Sequence, residues 1–293
     1  MLRKINTYKK HEYLYLGGKA FSILNLINSG FNVPSAYILD TNVFDDLVGR
    51  EVKSHLANMG KISANNRQEI CEFSKKIQNI IDGIDIVLDI NNLDNKYAVR
   101  SSANLEDSTK HSFAGRFDSF LNVEKCNLID GIKNVWKSTY STQAISYCLS
   151  KNIPISNLKM AVIIQEMVRA DVSGVAFSNH PVTKENLIFI ESVFGLADVL
   201  VSGSATPDNY TVEPSTFSIL DKSISTQKQI HLKDDTEKCS CKLANSQKIS
   251  NEQIIQVSKN LISIKNESGN EIDIEWAYEG SELYILQSRP ITT

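Results

Sequence analysis

Apolar residues recur at several spacings in this sequence, and each change of spacing marks an element. Met160 to Gln165 is a near-continuous apolar run, as expected for a strand covered on both faces. Ala36 to Leu39, Tyr97 to Val99, Phe117 to Val123, Val175 to Phe177 and Leu187 to Ile190 read as further short strands. Helical spacing follows Gly17-Gly18-Lys19 at Phe21, Leu24, Leu26 and Ile27, and stops at Ser29-Gly30. Residues 42 to 90 read as mainly helical, with apolar positions at Ile70, Phe73, Ile77 and Ile80. Leu128 to Cys148 and the set Ile254, Val257, Leu261 and Ile264 predict two more helical stretches. Asn104 to Gly115 reads as a mobile polar loop, and Asp221 to Ser250 as a polar edge or loop. Helices and strands mix without strict alternation, which predicts an α+β fold rather than a doubly wound sheet. A boundary between two lobes falls near Gln165 to Ala170, where a buried strand meets charged residues.

The last twenty or so residues carry the richest pattern. Ile272, Ile274, Trp276 and Tyr278 alternate with Asp273 and Glu275, the period of a half-buried strand. Beyond Glu279-Gly280-Ser281, Tyr284, Leu286 and Ser288 alternate with Ile285, Gln287 and Arg289, which predicts a hairpin. With Gly280 to Glu282 as the loop, Glu275 lies opposite Gln287, Asp273 opposite Arg289, and Trp276 faces Leu286 on the other side. Two carboxylates, an amide and a guanidinium then share one face. That quartet suits Mg²⁺ on a polyphosphate, with hard oxygens for the cation and arginine for the phosphate. The bland alternative is a surface hairpin with ordinary ion pairs. A one-residue slip would scatter the quartet over both faces.

Bulk properties narrow the classes. The 293 residues are 42% hydrophobic and 22% charged, with net charge −3. That is long enough for one large domain or two lobes, and offers no broad basic surface for nucleic acid or a membrane. No apolar stretch approaches the roughly eighteen residues of a membrane span, and the start, Met1-Leu-Arg-Lys-Ile-Asn, lacks a signal-peptide core. The five cysteines are scattered, and Cys239-Ser-Cys241 has the wrong spacing for a zinc site. They read as reduced thiols in a cytoplasmic protein. The five histidines show no metal or nucleophile spacing.

Four further segments are candidates. Lys19 follows two glycines at a helix start, where backbone N–H groups and the helix dipole favour phosphate, although the Walker spacing is missing. Arg100 ends a strand and is either a phosphate clamp or a structural ion pair. Ser112-Phe-Ala-Gly115 is a small-residue turn that could cover phosphates or be simply a loop. Gln165-Glu166-Met167-Val168 follows the buried strand, where backbone groups could hold a base, or the strand could merely end.

In order along the chain, these segments resemble the nucleotide-binding domain shared by pyruvate phosphate dikinase, phosphoenolpyruvate synthase and the rifampin phosphotransferases. The motifs are Leu16-Gly-Gly-Lys19-Ala, Ala98-Val-Arg100-Ser-Ser-Ala103, Glu106-Asp107 and Ser112-Phe-Ala-Gly115. They continue through Gln165-Glu166-Met167-Val168, Ser173-Gly-Val-Ala-Phe177, Pro181-Val-Thr183, Glu191-Ser-Val-Phe-Gly195-Leu, Ser202-Gly203 and Thr206-Pro-Asp208. Asp273-Ile-Glu275-Trp-Ala and Leu286-Gln287-Ser-Arg289-Pro-Ile-Thr292 complete the set, which spans nearly the whole chain. Two departures stand out: Ala197 where a second glycine is common, and Arg116 where the family is usually uncharged.

The resemblance implies an ATP-grasp-like fold with two lobes clasping ATP. Residues 1–165 would form the N-terminal lobe, and residues 166–293 the lobe with the adenine hinge and metal-binding hairpin. It implies that Lys19 and Arg100 contact phosphates, that Ser112 and Gly115 lie over them, and that Gln165, Glu166, Met167 and Val168 line the adenine pocket. Glu275 and Gln287 would bind Mg²⁺, Asp273 would support that site, and Arg289 would contact the terminal phosphates. In such enzymes ATP is split between its α and β phosphates, and a histidine on a swivelling domain takes up the diphosphate. Phosphate leaves, AMP is a product, and the remaining phosphoryl group passes to a small acceptor bound by another domain. The acceptor is left open among pyruvate, an antibiotic hydroxyl, a glucan, and a glutamine amide as in capsule-modifying glutamine kinases. Neither the swivelling histidine motif nor an acceptor domain is found in the 293 residues, so the expectation is a piece of a longer phosphotransferase. A non-catalytic nucleotide module and an ATP-grasp ligase forming ADP are the alternatives.

Overall fold

Apolar residues on both faces make Met160–Glu166 the natural centre of a sheet, and the structure builds one around it. The computed structural model describes residues 1–57, 62–63, 66–91, 93, 96–104, 107–108, 111–112, 117–201, 203–232, 236–238 and 240–291. These form two compact units, Met1–Leu24 with Ser35–Met167, and Asn25–Pro34 with Val168–Thr293.

The first unit contains strands β1 (Arg3–Lys4), β2 (Ala36–Leu39), β3 (Tyr97–Ala103), β4 (Asp107–Ser108), β5 (His111–Ser112), β6 (Ser119–Val123) and β7 (Met160–Glu166). Its main sheet runs β1-β2-β7-β3-β6, with every neighbour antiparallel. Helix α1 (Gly17–Asn28) enters from this unit. It is followed by α2 (Thr41–Phe44), α3 (Arg50–Leu56), α4 (Arg67–Asp82), α5 (Leu128–Ser138) and α6 (Thr142–Ser150). One core joins Val99, Val162 and Ile164 of the sheet to Ile70, Ile77, Ile132, Trp136 and Ile145 of the helices.

Residues 42–90 are mainly helical, as the spacing predicts, in two stretches that end at Leu56 and at Asp82. The buried stripe of α4 is Ile70, Ser74, Ile77 and Ile81, so Phe73 and Ile80 flank it rather than define it. Leu128–Cys148 is two helices, since Ser141 caps α6 by accepting from Ala144 N–H at 3.2 Å.

The second unit contains β8 (Val172–Phe177), β9 (Ile188–Phe194), β10 (Asp208–Val212), β11 (Ile219–Ser223), β12 (Gln229–His231), β13 (Thr236–Lys238), β14 (Ile272–Glu279) and β15 (Glu282–Pro290). Its six-stranded sheet runs β11-β10-β9-β8-β14-β15, again antiparallel throughout. Helices α7 (Asp198–Val201) and α8 (Cys241–Ala244) are single turns, while α9 (Asn251–Ser268) is long. Ile254, Val257, Leu261 and Ile264 of α9 share a core with Ile274, Trp276, Tyr278, Ile285, Ile190 and Tyr210. Asn25–Pro34 belongs here rather than to an N-terminal lobe, since Leu26, Phe31 and Val33 join this core. Asn32 also accepts from Ile285 N–H at 2.8 Å and donates to Leu283 O at 3.2 Å.

Asp221–Ser250 is more firmly attached than its polarity predicts. Lys248 and Asp208 form an ion pair of 2.7 Å with both side chains fully buried. Asp208 also accepts from Tyr210 Oη (2.9 Å), Ser225 N (2.8 Å) and Lys248 N (2.9 Å). These bonds satisfy a charge that burial alone would make costly, and they bind the excursion to β10. No described helix is long and apolar enough to cross a membrane.

Candidate functional site

Alternation along β14 and β15 decides which side chains meet. Asp273 pairs with Arg289 and Glu275 with Gln287, as the sequence predicts. The turn differs from expectation: Glu279 pairs with Glu282, leaving Gly280 and Ser281 between them, and Trp276 pairs with Ile285 rather than Leu286. A bulge at Leu286 absorbs the offset. Without that extra residue the tighter turn would put Gln287 opposite Ile274 and Arg289 opposite Ile272, turning both toward the core. The bulge therefore delivers the amide and the guanidinium to the charged face.

On that face Arg289 Nε donates to Asp273 Oδ1 and Oδ2, each at 2.8 Å. The Asp273 side chain is 11% exposed and that of Arg289 43%, so the carboxylate is held from below while the guanidinium reaches outward. Gln287 is buried and Glu275 half-buried. On the opposite face Trp276 is fully buried. It needs a glycine beside it: a Cβ at Gly174 would meet Glu191 O at 1.9 Å and Trp276 Cζ2 at 2.8 Å.

The pairing extends the row across the sheet, from Gln287 through Glu275, Val175 and Glu191 to Asn209. Glu191 is a candidate that sequence reasoning passed over, noting it only within a motif. Burial raises its carboxyl pKa above the ordinary glutamate value. The available signal was a lone charge alternating with Ile188 and Ile190 in an otherwise apolar strand. Among the described residues, no three His, Cys, Asp or Glu side chains converge as an all-acid or thiolate metal cluster. The hard-oxygen donors on this face are a mixed carboxylate and amide set.

In the first unit, Lys19 lies in the first turn of α1, and its Nζ is 3.3 Å from Ser101 Oγ. The turn is stitched to β3 by Ser102, which donates to Leu16 O at 2.8 Å and accepts from Ala20 N at 2.9 Å. Gly17 has φ +73°, and a Cβ there would meet Ser102 O at 2.1 Å, so this approach requires glycine. Arg100 pairs with Ile163 and Ser119, while Gln165 pairs with Ala98. Arg100 and Gln165 therefore share a sheet face, and Gln165 is buried.

Past β7, Glu166 N–H donates to Ser35 O at 2.8 Å and Met167 N–H to Lys96 O at 3.0 Å. Both donors are committed within the protein, and Val168 begins the longer segment of the second unit. The Ser112 backbone pairs with Asp107 between β4 and β5, where sequence predicted a loop. The Ser112 side chain, Glu106, Gly115 and Arg116 lie outside the described residues.

Residues 14–293 match the family described as pyruvate phosphate dikinase, AMP/ATP-binding domain. The chain belongs to this family. A probable phosphoenolpyruvate synthase of Methanothermobacter thermautotrophicus is 32% identical over 302 residues, covering 94% of this chain and 44% of its own length. Rifampicin phosphotransferase of Bacillus cereus is 32% identical over 305 residues, covering 97% of this chain and 35% of its own. Phosphoenolpyruvate synthase of Pyrococcus furiosus is 36% identical over 211 residues, covering 67% and 26%. The chain thus spans less than half the length of these curated relatives.

Proposed function

We propose that the chain is the ATP-binding part of a dikinase-type phosphotransferase, and that its charged hairpin face holds the magnesium-loaded phosphates. The observation that carries this reading is the placing of Asp273, Glu275, Gln287 and Arg289 on one sheet face by a register that only the Leu286 bulge permits. The donor set fits Mg²⁺: Glu275 and Gln287 are cross-strand partners with Cβ atoms about 4.5–5.5 Å apart and offer a carboxylate and an amide oxygen. Mg²⁺ is a hard cation that takes few protein ligands and keeps water and phosphate in the rest of its shell. When bound, the ion supplies charge neutralisation for the phosphates.

This chain's own residues position the substrate. Asp273 fixes the Arg289 Nε edge, so the guanidinium meets terminal phosphate oxygens in one orientation. Glu191 adds a carboxyl group to the row of Glu275 and Gln287. Lys19 and Arg100 supply positive charge for phosphate in the first unit. The N–H groups of Glu166 and Met167 are engaged within the protein, so base recognition does not rest on them. Such a domain contributes alignment and charge neutralisation, with little covalent chemistry of its own.

ATP is then cleaved between its α and β phosphorus atoms, releasing AMP. A histidine on a swivelling phosphohistidine domain accepts the diphosphoryl group, water removes phosphate, and a small acceptor on a further domain receives what remains. Pyruvate, an antibiotic hydroxyl and a glutamine amide are the acceptor classes in view. The test is to supply this chain with a histidine domain from a relative and to resolve the adenine nucleotides chromatographically. AMP and phosphate in equal amounts are expected. ADP as the product would place the chain with ligases, and tight binding without turnover would make it a sensing module.

A further inference from the structure

The connection from β8 to β9, residues 178–187, is held more tightly than a surface link requires. His180 N–H donates to Glu185 O at 3.0 Å, Lys184 N–H to His180 O at 2.9 Å, and Leu187 N–H to Glu185 O at 2.8 Å. Thr183 Oγ1 adds a bond to Glu185 Oε2 at 2.9 Å. Within this turn the imidazole of His180 has a fixed role. Its Nδ1 lies 3.3 Å from Val182 N and 3.2 Å from Thr183 N, and accepts from both. Backbone N–H groups can only donate, so Nδ1 carries a lone pair and the ring proton sits on Nε2. Among the described residues, no group accepts a hydrogen bond from Nε2.

The ring's position gives that donor a use. Its centroid is 4.7 Å from that of Phe189. Phe189 lies on the cross-strand row that begins with Arg289, passes through Asp273 and Phe177 and continues to Thr211, on the charged face. Phe177 and Phe189 stand 6.5 Å apart, centroid to centroid, and complete an aromatic shelf at the Asp273–Arg289 end of the sheet. A stiff turn thus carries one N–H donor at the end of the sheet, and against the face, where Arg289 lies three strands from Phe189. Preorganised donors of this kind bind anions without paying to order a side chain.

We propose that His180 is an additional phosphate-binding residue, donating Nε2–H to a terminal oxygen of the polyphosphate that Arg289 engages. The inference deepens the proposed function and rests on it. His180→Asn separates the two roles of the ring, since Asn Oδ1 can accept from the turn N–H groups but carries nothing at the Nε2 position. His180→Gln does the reverse.

Calorimetric titrations of wild type, H180N and H180Q with Mg·ATP, Mg·tripolyphosphate and AMP provide the test. A donor to a charged oxygen predicts about ten- to a hundredfold weaker binding of Mg·ATP and Mg·tripolyphosphate by H180N. AMP affinity should be unchanged, and H180Q should recover part of the loss. In the wild type, the ¹⁵N resonance of His180 Nε2 should shift on adding Mg·tripolyphosphate while Nδ1 stays, a readout that does not depend on any variant folding. Equal polyphosphate affinity in wild type and H180N, or an unmoved Nε2 resonance, reduces the ring to a turn cap and overturns the proposal. A wild type that binds neither Mg·ATP nor Mg·tripolyphosphate overturns the proposed function itself, and this inference with it.

Discussion

The two units hold their candidate phosphate-binding groups by different physics. In the second, side chains reach a common face because backbone pairing puts them there, and one bulge sets the phase. In the first, Lys19 is placed by a helix start that Ser102 stitches to β3, over a glycine that admits no Cβ. A pairing register is shared by many bonds, so single substitutions on the charged face should leave it standing. A stitch made by one hydroxyl is local, and its loss should be felt where it is made.

That contrast can be broken at several strengths. Trp276→Ala should cost about 3–5 kcal/mol, because it empties the core behind the charged face. Denaturant unfolding followed through the second unit checks it, and a mild effect would mean that register does not depend on that core. Lys248→Met leaves Asp208 buried without its cation, which predicts a loss of about 3–5 kcal/mol and early exposure of residues 221–250 to hydrogen exchange. Ser102→Ala removes a donor to Leu16 O and an acceptor for Ala20 N, and should cost about 1–3 kcal/mol. Exchange at the start of α1 should rise while the amides of β14 and β15 stay protected.

Glu275→Ala belongs at the lower end for stability, within about 0.5 kcal/mol, yet should weaken Mg·ATP at least about tenfold. The smallest effect is a pH dependence at Glu191. Its folded pKa is raised by burial, so the folded state binds the proton more tightly than the unfolded chain does. Stability from this group is therefore fullest below the unfolded glutamate pKa of about 4.3 and declines as pH rises through the raised folded value. Glu191→Gln should be the more stable form near neutrality, with the difference closing toward acid. A difference that grows on acidification would mean that Glu191 has a cationic partner in the folded protein.

Much of this was legible in the residues. Alternation alone placed Asp273, Glu275, Gln287 and Arg289 on one face, since a hydrophobic face fixes the phase of a strand. It put Leu286 opposite Trp276, because period-two counting has no sign for a bulge and Gly280-Ser281 can close the hairpin in two residues. The helix break at Ser141 was written in a capping residue set within apolar sequence, where the apolar signal hid it. The attachment of residues 221–250 was hidden for the opposite reason. Asp208 stood out only within the Thr206-Pro-Asp208 motif and Lys248 not at all within its polar stretch, and only their approach in the folded chain makes them an anchor. The union of Asn25–Pro34 with the second unit likewise depends on long-range contacts with Leu283 and Ile285 that no local pattern encodes.

The central claim is that the β14–β15 face grips a magnesium–nucleotide complex, and isothermal titration of the wild type and of Glu275→Ala with Mg·ATP addresses it most directly. Saturable heat in the wild type, strongly reduced in the variant while its melting curve is unchanged, is the predicted result. Identical isotherms for the two proteins, or no heat from either, would contradict it.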